Sequence, residues 1–172
     1  QDRHLADARA RAELRQRALG PLAIATGALL AQVLIRQAHR DEAIAVQVDP
    51  SGNGRVQVLI DGTAVSTLAP LAASQLRGIS IIAGQGDNLI DLNAITSADF
   101  SYADADTGLG LQIQVDAGNG NDTLFGSQDF EDSLMGGDGD DLINVTPTNT
   151  ITAGQVIDGG DGNDTITGGD GD

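Results

Sequence analysis

Glycine and aspartate recur in this chain at a spacing suited to holding a hard cation. Residues 136–144 read GGDGDDLIN and residues 159–167 read GGDGNDTIT, two unbroken copies of the nonapeptide G-G-x-G-x-D-x-U-x, where U is a large apolar residue. Glycines permit a tight loop with positive φ, and the loop carbonyls together with the Asp carboxylate are the hard oxygen donors that calcium prefers. The U side chain, two positions beyond the Asp, is expected to point inward.

The same chemistry recurs at fixed offsets when each loop is aligned on its second glycine, at Gly84, Gly118, Gly137 and Gly160. Four residues later come Asn88, Asp122, Asp141 and Asp164, and six later come Ile90, Leu124, Ile143 and Ile166. Three residues earlier come Ile81, Val115, Leu134 and Ile157. Four rungs of a coil are predicted, one column binding and the apolar columns packing, because side chains along a strand alternate faces. Each buried aliphatic contributes about 1.5 to 3 kcal/mol, whereas ordering each glycine costs about 1 to 2 kcal/mol of backbone entropy. Bound cation is expected to supply the deficit.

The elements that position these loops read as mainly β. From Ala43 the apolar period is two: Ile44, Val46 and Val48 alternate, residues 51–54 (SGNG) turn the chain, and Val56, Val58 and Ile60 alternate again, which predicts a β-hairpin. Residues 68–76 read as a connecting loop or short helix, and Ile79 to Ile82 as a strand entering the first glycine loop. Between 92 and 116, Ile95, Phe100 and Tyr102, then Leu111, Ile113 and Val115, read as strands of a wider coil around Asp104 and Asp106, two acids read chiefly as solvated turn residues. Residues 1–19, rich in Ala and Arg, predict one short helix ended by Gly20 and Pro21. Its thin stripe of Leu5, Ala8, Ala12 and Leu19 is a local cap or a subunit contact. Residues 22–37 are read as a second helix, with a first strand as the alternative. The domain plan is thus a helical leader over 1–40, a hairpin and strand capping the coil over 41–82, and the repeat region over 83–172.

Composition narrows the function. The 172 residues include 2% aromatics, no Trp, no Cys and 23 Gly, so a conventional aromatic-rich core, disulfides and thiolate zinc sites are set aside. Charge is split: residues 1–40 carry seven Arg against three acids, net +4, while residues 41–172 carry two Arg against 22 acids, net −20. Nucleic acid is disfavoured as a partner of the acidic body. Carboxylates about 4.8 Å apart on adjacent coils repel by roughly 3 kcal/mol at an effective dielectric of about 20, which calls for a counter-ion. The longest apolar run, residues 22–35, is 14 long and interrupted by Thr26, Gly27 and Gln32, too short for a membrane span. No H-E-x-x-H, G-x-S-x-G or phosphate-binding loop occurs, there is no Lys, and His4 and His39 have no ligand partner motif, so no enzyme activity is expected. Sequons at Asn121, Asn144 and Asn163 follow from the repeat itself.

These motifs resemble the RTX family of calcium-binding β-rolls, specifically over 117–172, more weakly over 83–91, and not before about residue 40. The resemblance implies a parallel β-roll or β-helix in which calcium sits between loops on the same side of successive coils. It places the metal ligands at Gly118, Gly120, Asp122, Asp132, Gly137, Asp138, Gly139, Asp141, Gly160, Asp161, Gly162, Asp164, Asp170 and Asp172. Loops 118–122 and 137–141 then share a side. Two departures stand out: Asn88 replaces the expected Asp, and residues 145–158 hold Pro147 and no G-x-G-x-D. A first residue other than Met reads as a processed or excised terminus and, with the resemblance, as export from the cell. The function expected is a secreted calcium-binding structural protein that self-assembles into a filament, surface layer or matrix, or else a piece of a larger RTX adhesin, toxin or enzyme. An ice- or sugar-binding face is set aside, because Thr165 and Thr167 are too few for a regular outward array.

Overall fold

In the computed structural model the described residues are 23–24, 32–36, 41–65, 72–101, 110–145 and 155–168. The predicted helix over 1–19, His4, His39, Tyr102, Asp104, Asp106, Pro147, Asp170 and Asp172 lie outside them. The strands are β1 (Ala23–Ile24), β2 (Gln32–Arg36), β3 (Ala43–Val48), β4 (Val56–Ile60), β5 (Thr63–Val65), β6 (Gly78–Gln85), β7 (Leu89–Asp91), β8 (Gln112–Asn119), β9 (Thr123–Phe125), β10 (Asp132–Asp138), β11 (Leu142–Asn144), β12 (Val156–Asp161) and β13 (Thr165–Thr167), with a 3-10 turn at Ala73–Gln75 before β6.

Two sheets form, in the orders β1-β2-β6-β8-β10-β12 and β13-β11-β9-β7-β3-β4-β5. Strands β2, β6, β8, β10 and β12 run parallel, as do β3, β7, β9, β11 and β13. Each coil therefore lays one strand in each sheet, and the glycine loops make the turn from the first sheet to the second. The fold is a mainly β, parallel roll. Among the described residues no helix is long and apolar enough to cross a membrane.

Register follows the apolar columns read from the sequence. Ile81 pairs with Val115, Val115 with Leu134 and Leu134 with Ile157 in the first sheet. Ile90, Leu124, Ile143 and Ile166 align in the second. The structure adds Ile35 ahead of Ile81 and Ile44 ahead of Ile90, so the stack has a fifth coil, made of β2 and β3. Inward side chains of both sheets merge in one core that includes Ile35, Ile44, Ile81, Ile90, Val115, Leu124, Leu134 and Ile143. A core of small aliphatics stacked at strand spacing needs few aromatics.

Three expectations change. Within residues 22–37, the described segments are strands rather than a helix. Periodicity does not separate the two states in so short an apolar run, and the edge of β6 offers a parallel partner for β2. Residues 95–101 do not form a strand: turns bonded from Ile95 N to Leu92 O and from Phe100 N to Thr96 O bury Ile95 and Phe100 instead. The predicted hairpin is present, Val46 facing Val58, but β3 also pairs with β7, so it continues the second sheet.

Candidate metal centre

Four glycine loops stack on one side of the roll. Gly84, Gly118, Gly137 and Gly160 are in register and share φ values of 102°, 102°, 114° and 98°. Gly137 shows why no other residue suits the position: besides its positive φ, an added Cβ would run into the carbonyl oxygen of Gly118. Gly139 meets the carbonyl of Gly120 in the same way, and Gly160 and Gly162 meet those of Gly137 and Gly139. Rows of carbonyl oxygens thus face the next coil across a gap that only glycine leaves open.

Inside these loops runs a ladder of acids. Asp164 Oδ1 accepts a hydrogen bond from Asp141 N (3.0 Å), Asp141 Oδ1 from Asp122 N (2.7 Å), and Asp122 Oδ1 from Asn88 N (2.7 Å). Asn88 Oδ1 in turn accepts from Glu42 N (3.3 Å). Each carboxylate is so held by the coil before it. The second oxygens of Asp122 and Asp141, both in side chains at most 2% exposed, are buried with no hydrogen-bond partner. Burial pushes both carboxyls above the ordinary carboxylate value; Asp141 and Asp87 add to this at Asp122, and Asp164 and Asp140 at Asp141, against backbone hydrogen bonds that work the other way. A buried acceptor without a donor, among like charges, is a costly arrangement that a cation relieves.

On the rim a second ladder runs in the opposite sense. Asp87 N donates to Asp41 Oδ1 (3.0 Å), Asn121 N to Asp87 Oδ1 (2.8 Å), Asp140 N to Asn121 Oδ1 (2.8 Å) and Asn163 N to Asp140 Oδ1 (2.8 Å). Sequence reasoning missed this ladder and the part played by Asp41 and Glu42 at the heads of the two columns. A signal existed: Glu42-Ala43-Ile44 repeats the D-x-U ending without the glycines.

Donor chemistry fits calcium. Among the described residues no three His, Asp or Glu side chains converge on a point. The available donors are instead backbone carbonyls and carboxylate oxygens of the same stacked loops, the mixed oxygen set that calcium accepts and zinc does not favour. Against this geometry, a family model described as the RTX calcium-binding nonapeptide repeat matches residues 127–145 and 149–172, in four copies. The chain carries RTX calcium-binding repeats. No match is found among curated proteins or among solved structures. The RTX match begins after loop 118–122, yet that loop and loop 84–88 continue the same stack, so the RTX-like geometry extends beyond the matched segments.

The expected ligands separate into groups. Gly118, Gly120, Asp122, Gly137, Gly139, Asp141, Gly160, Gly162 and Asp164 come together along the loop column. Asp138 and Asp161 belong to the same loops but turn exposed side chains outward; their carbonyls accept from Gly120 N and Gly139 N. Asp132 lies apart from this column, in the alternate repeat unit between loops 118–122 and 137–141. It opens β10 at the far bend, opposite Ile113 and hence in an apolar column, with Oδ2 accepting from Ser127 N (2.7 Å) and Oδ1 from Ser127 Oγ (2.8 Å). Burial raises its pKa to about 6 against those two bonds. It stands at the bend opposite the glycine-loop column, within the segment that the RTX repeat model matches.

Proposed function

We propose that this protein is a secreted calcium-binding structural module whose RTX repeats fold as calcium binds and which self-assembles into an extracellular filament, layer or matrix. The observation that carries the calcium-coupled part is the pair of buried, donorless oxygens on Asp122 and Asp141 within the carbonyl-lined loop stack. Metal affinity and folding free energy are then one quantity, and affinity of roughly 10⁻⁴ to 10⁻³ M suits an extracellular calcium level. Gly118, Gly120, Gly137 and Gly139 carbonyls with Asp122, Asp141 and Asp164 carboxylates would hold the ions. Calcium supplies the positive charge that lets these carboxylates stack.

Among the described residues Val156 is 56% and Ile166 47% exposed on β12 and β13, apolar side chains that a further coil, of a second copy or of a longer chain, would cover. Open parallel edges beside apolar side chains invite another coil. A role without catalysis agrees with the missing catalytic motifs. The second reading is a module of a larger RTX adhesin, toxin or enzyme, in which the same edge receives a further coil of that chain. Sedimentation velocity in roughly millimolar calcium and in excess chelator separates the two. Large species that require calcium support assembly; a compact monomer that expands in chelator supports the module, and a compact chain unchanged in chelator overturns calcium-coupled folding.

A further inference from the structure

Asn88 occupies the place that Asp122, Asp141 and Asp164 hold in later coils, and its bonding differs in one respect. Its Oδ1 accepts from the coil before it, as the Oδ1 atoms of Asp122, Asp141 and Asp164 do. This sets the amide orientation, since Oδ1 faces a donor while Nδ2 faces two acceptors. Nδ2 donates to Gly86 O (2.7 Å) and to Asp122 Oδ1 (3.1 Å). By the repeat, the atom equivalent to Asn88 Nδ2 is Oδ2 of Asp122 in the next coil and Oδ2 of Asp141 in the one after. Both of those oxygens are buried without a hydrogen-bond partner.

We propose that Asn88 is a built-in substitute for calcium: its amide supplies, by hydrogen bonding, the positive end that the later coils obtain from a metal ion. The junction between the β6–β7 coil and the β8–β9 coil then forms without calcium. Only the junctions beyond it depend on metal, so the first coils make a preformed edge onto which the acidic coils are laid as calcium arrives. Charge supports the division, because the Asn side chain adds no negative charge at the junction and donates to the Asp122 carboxylate that faces it. The antiparallel strands β1, β4 and β5, which flank the roll's first coil, lie at this same metal-free end. This inference rests on the calcium reading above.

Calcium titration calorimetry and amide hydrogen exchange on the whole chain test it, using the parent, Asn88→Asp and Asp122→Asn. In excess chelator the parent should keep Thr123 N protected, bonded to Asn88 O, while Thr165 N, bonded to Asp141 O, exchanges. Asn88→Asp should bind one more calcium ion than the parent and make protection of Thr123 N depend on calcium. Asp122→Asn should bind one fewer and protect Leu142 N, which is bonded to Asp122 O, in chelator. An unchanged stoichiometry in Asn88→Asp, or equal loss of Thr123 and Thr165 protection in the parent, overturns the proposal. Should Asn88→Asp not fold in calcium, Asp122→Asn decides alone, and an unchanged count there overturns it. A parent that binds no calcium removes the calcium reading itself, whereas a parent that binds normally beside silent variants removes only the role of Asn88.

Discussion

At the scale of the residue, two buried acids of the same type face opposite requirements. Asp141 is held through one oxygen by Asp122 N while its other oxygen lacks a donor, and its loop lies between two others. Asp141→Ala is therefore expected to abolish calcium binding on both sides of that loop, seen as loss of more than one ion in titration calorimetry; loss of none would remove the stacked-loop account. Asp132 has both oxygens bonded by Ser127, and burial raises its pKa to about 6. A raised carboxyl means the fold holds its proton more tightly than the unfolded chain. Its contribution is complete below about pH 4, declines as pH rises, and is gone above about pH 6. Asp132→Asn should remove that slope and stabilise the protein at pH 7 by up to about 3 kcal/mol relative to the parent, measured by urea unfolding across this range in constant calcium excess. Equal slopes in parent and variant would contradict the assignment.

At the scale of the element, glycine positions divide into those set by turn geometry and those set by neighbours. Gly52, in the hairpin turn, has φ of 77° and open space around a would-be Cβ, whereas Gly137 has φ of 114° and the Gly118 carbonyl in the way. Gly52→Ala should cost about 1 kcal/mol and Gly137→Ala roughly 3 kcal/mol or more, compared by denaturant midpoint in calcium. Register was legible in advance because identical offsets in the repeats leave one in-phase way to stack Ile81, Val115, Leu134 and Ile157. The first coil was not legible, since Ile35 and Ile44 sit outside any glycine loop and acquire their columns only by pairing with β6 and β7. Nor was the bend at 92–101, where buried Ile95 and Phe100 imitate the spacing of a strand.

At the scale of the whole molecule, the two ends of the roll differ. Antiparallel β1 flanks β2, and β4 with β5 flanks β3, while β12 and β13 are outermost in their sheets among the described residues. All of β13 is exposed, Ile166 included. On the self-assembly reading proposed above this edge would take the contact, and a charge placed there should act as edge charges do in other sheets. Ile166→Glu is expected to suppress calcium-dependent association in sedimentation velocity while leaving the far-ultraviolet dichroism of the calcium-bound protein unchanged. Association that persists undiminished would move the contact elsewhere on the molecule.

By itself the amino-acid sequence determined the repeat and its apolar columns and, through the resemblance to RTX repeats, the side shared by loops 118–122 and 137–141 and the expectation of calcium. Those properties depend on residue type and on offsets within a short stretch of chain, which the periods of strands and glycine turns translate directly into structure. Tertiary structure alone decided that Asp41 and Glu42 head the two ladders, and that Asn88 bonds where Asp122 and Asp141 are left donorless. The ladder heads meet partners 46 residues along the chain, and Asn88 meets Asp122 34 residues along it. Local pattern names the donors and acceptors; only the stacking of coils determines which of them meet.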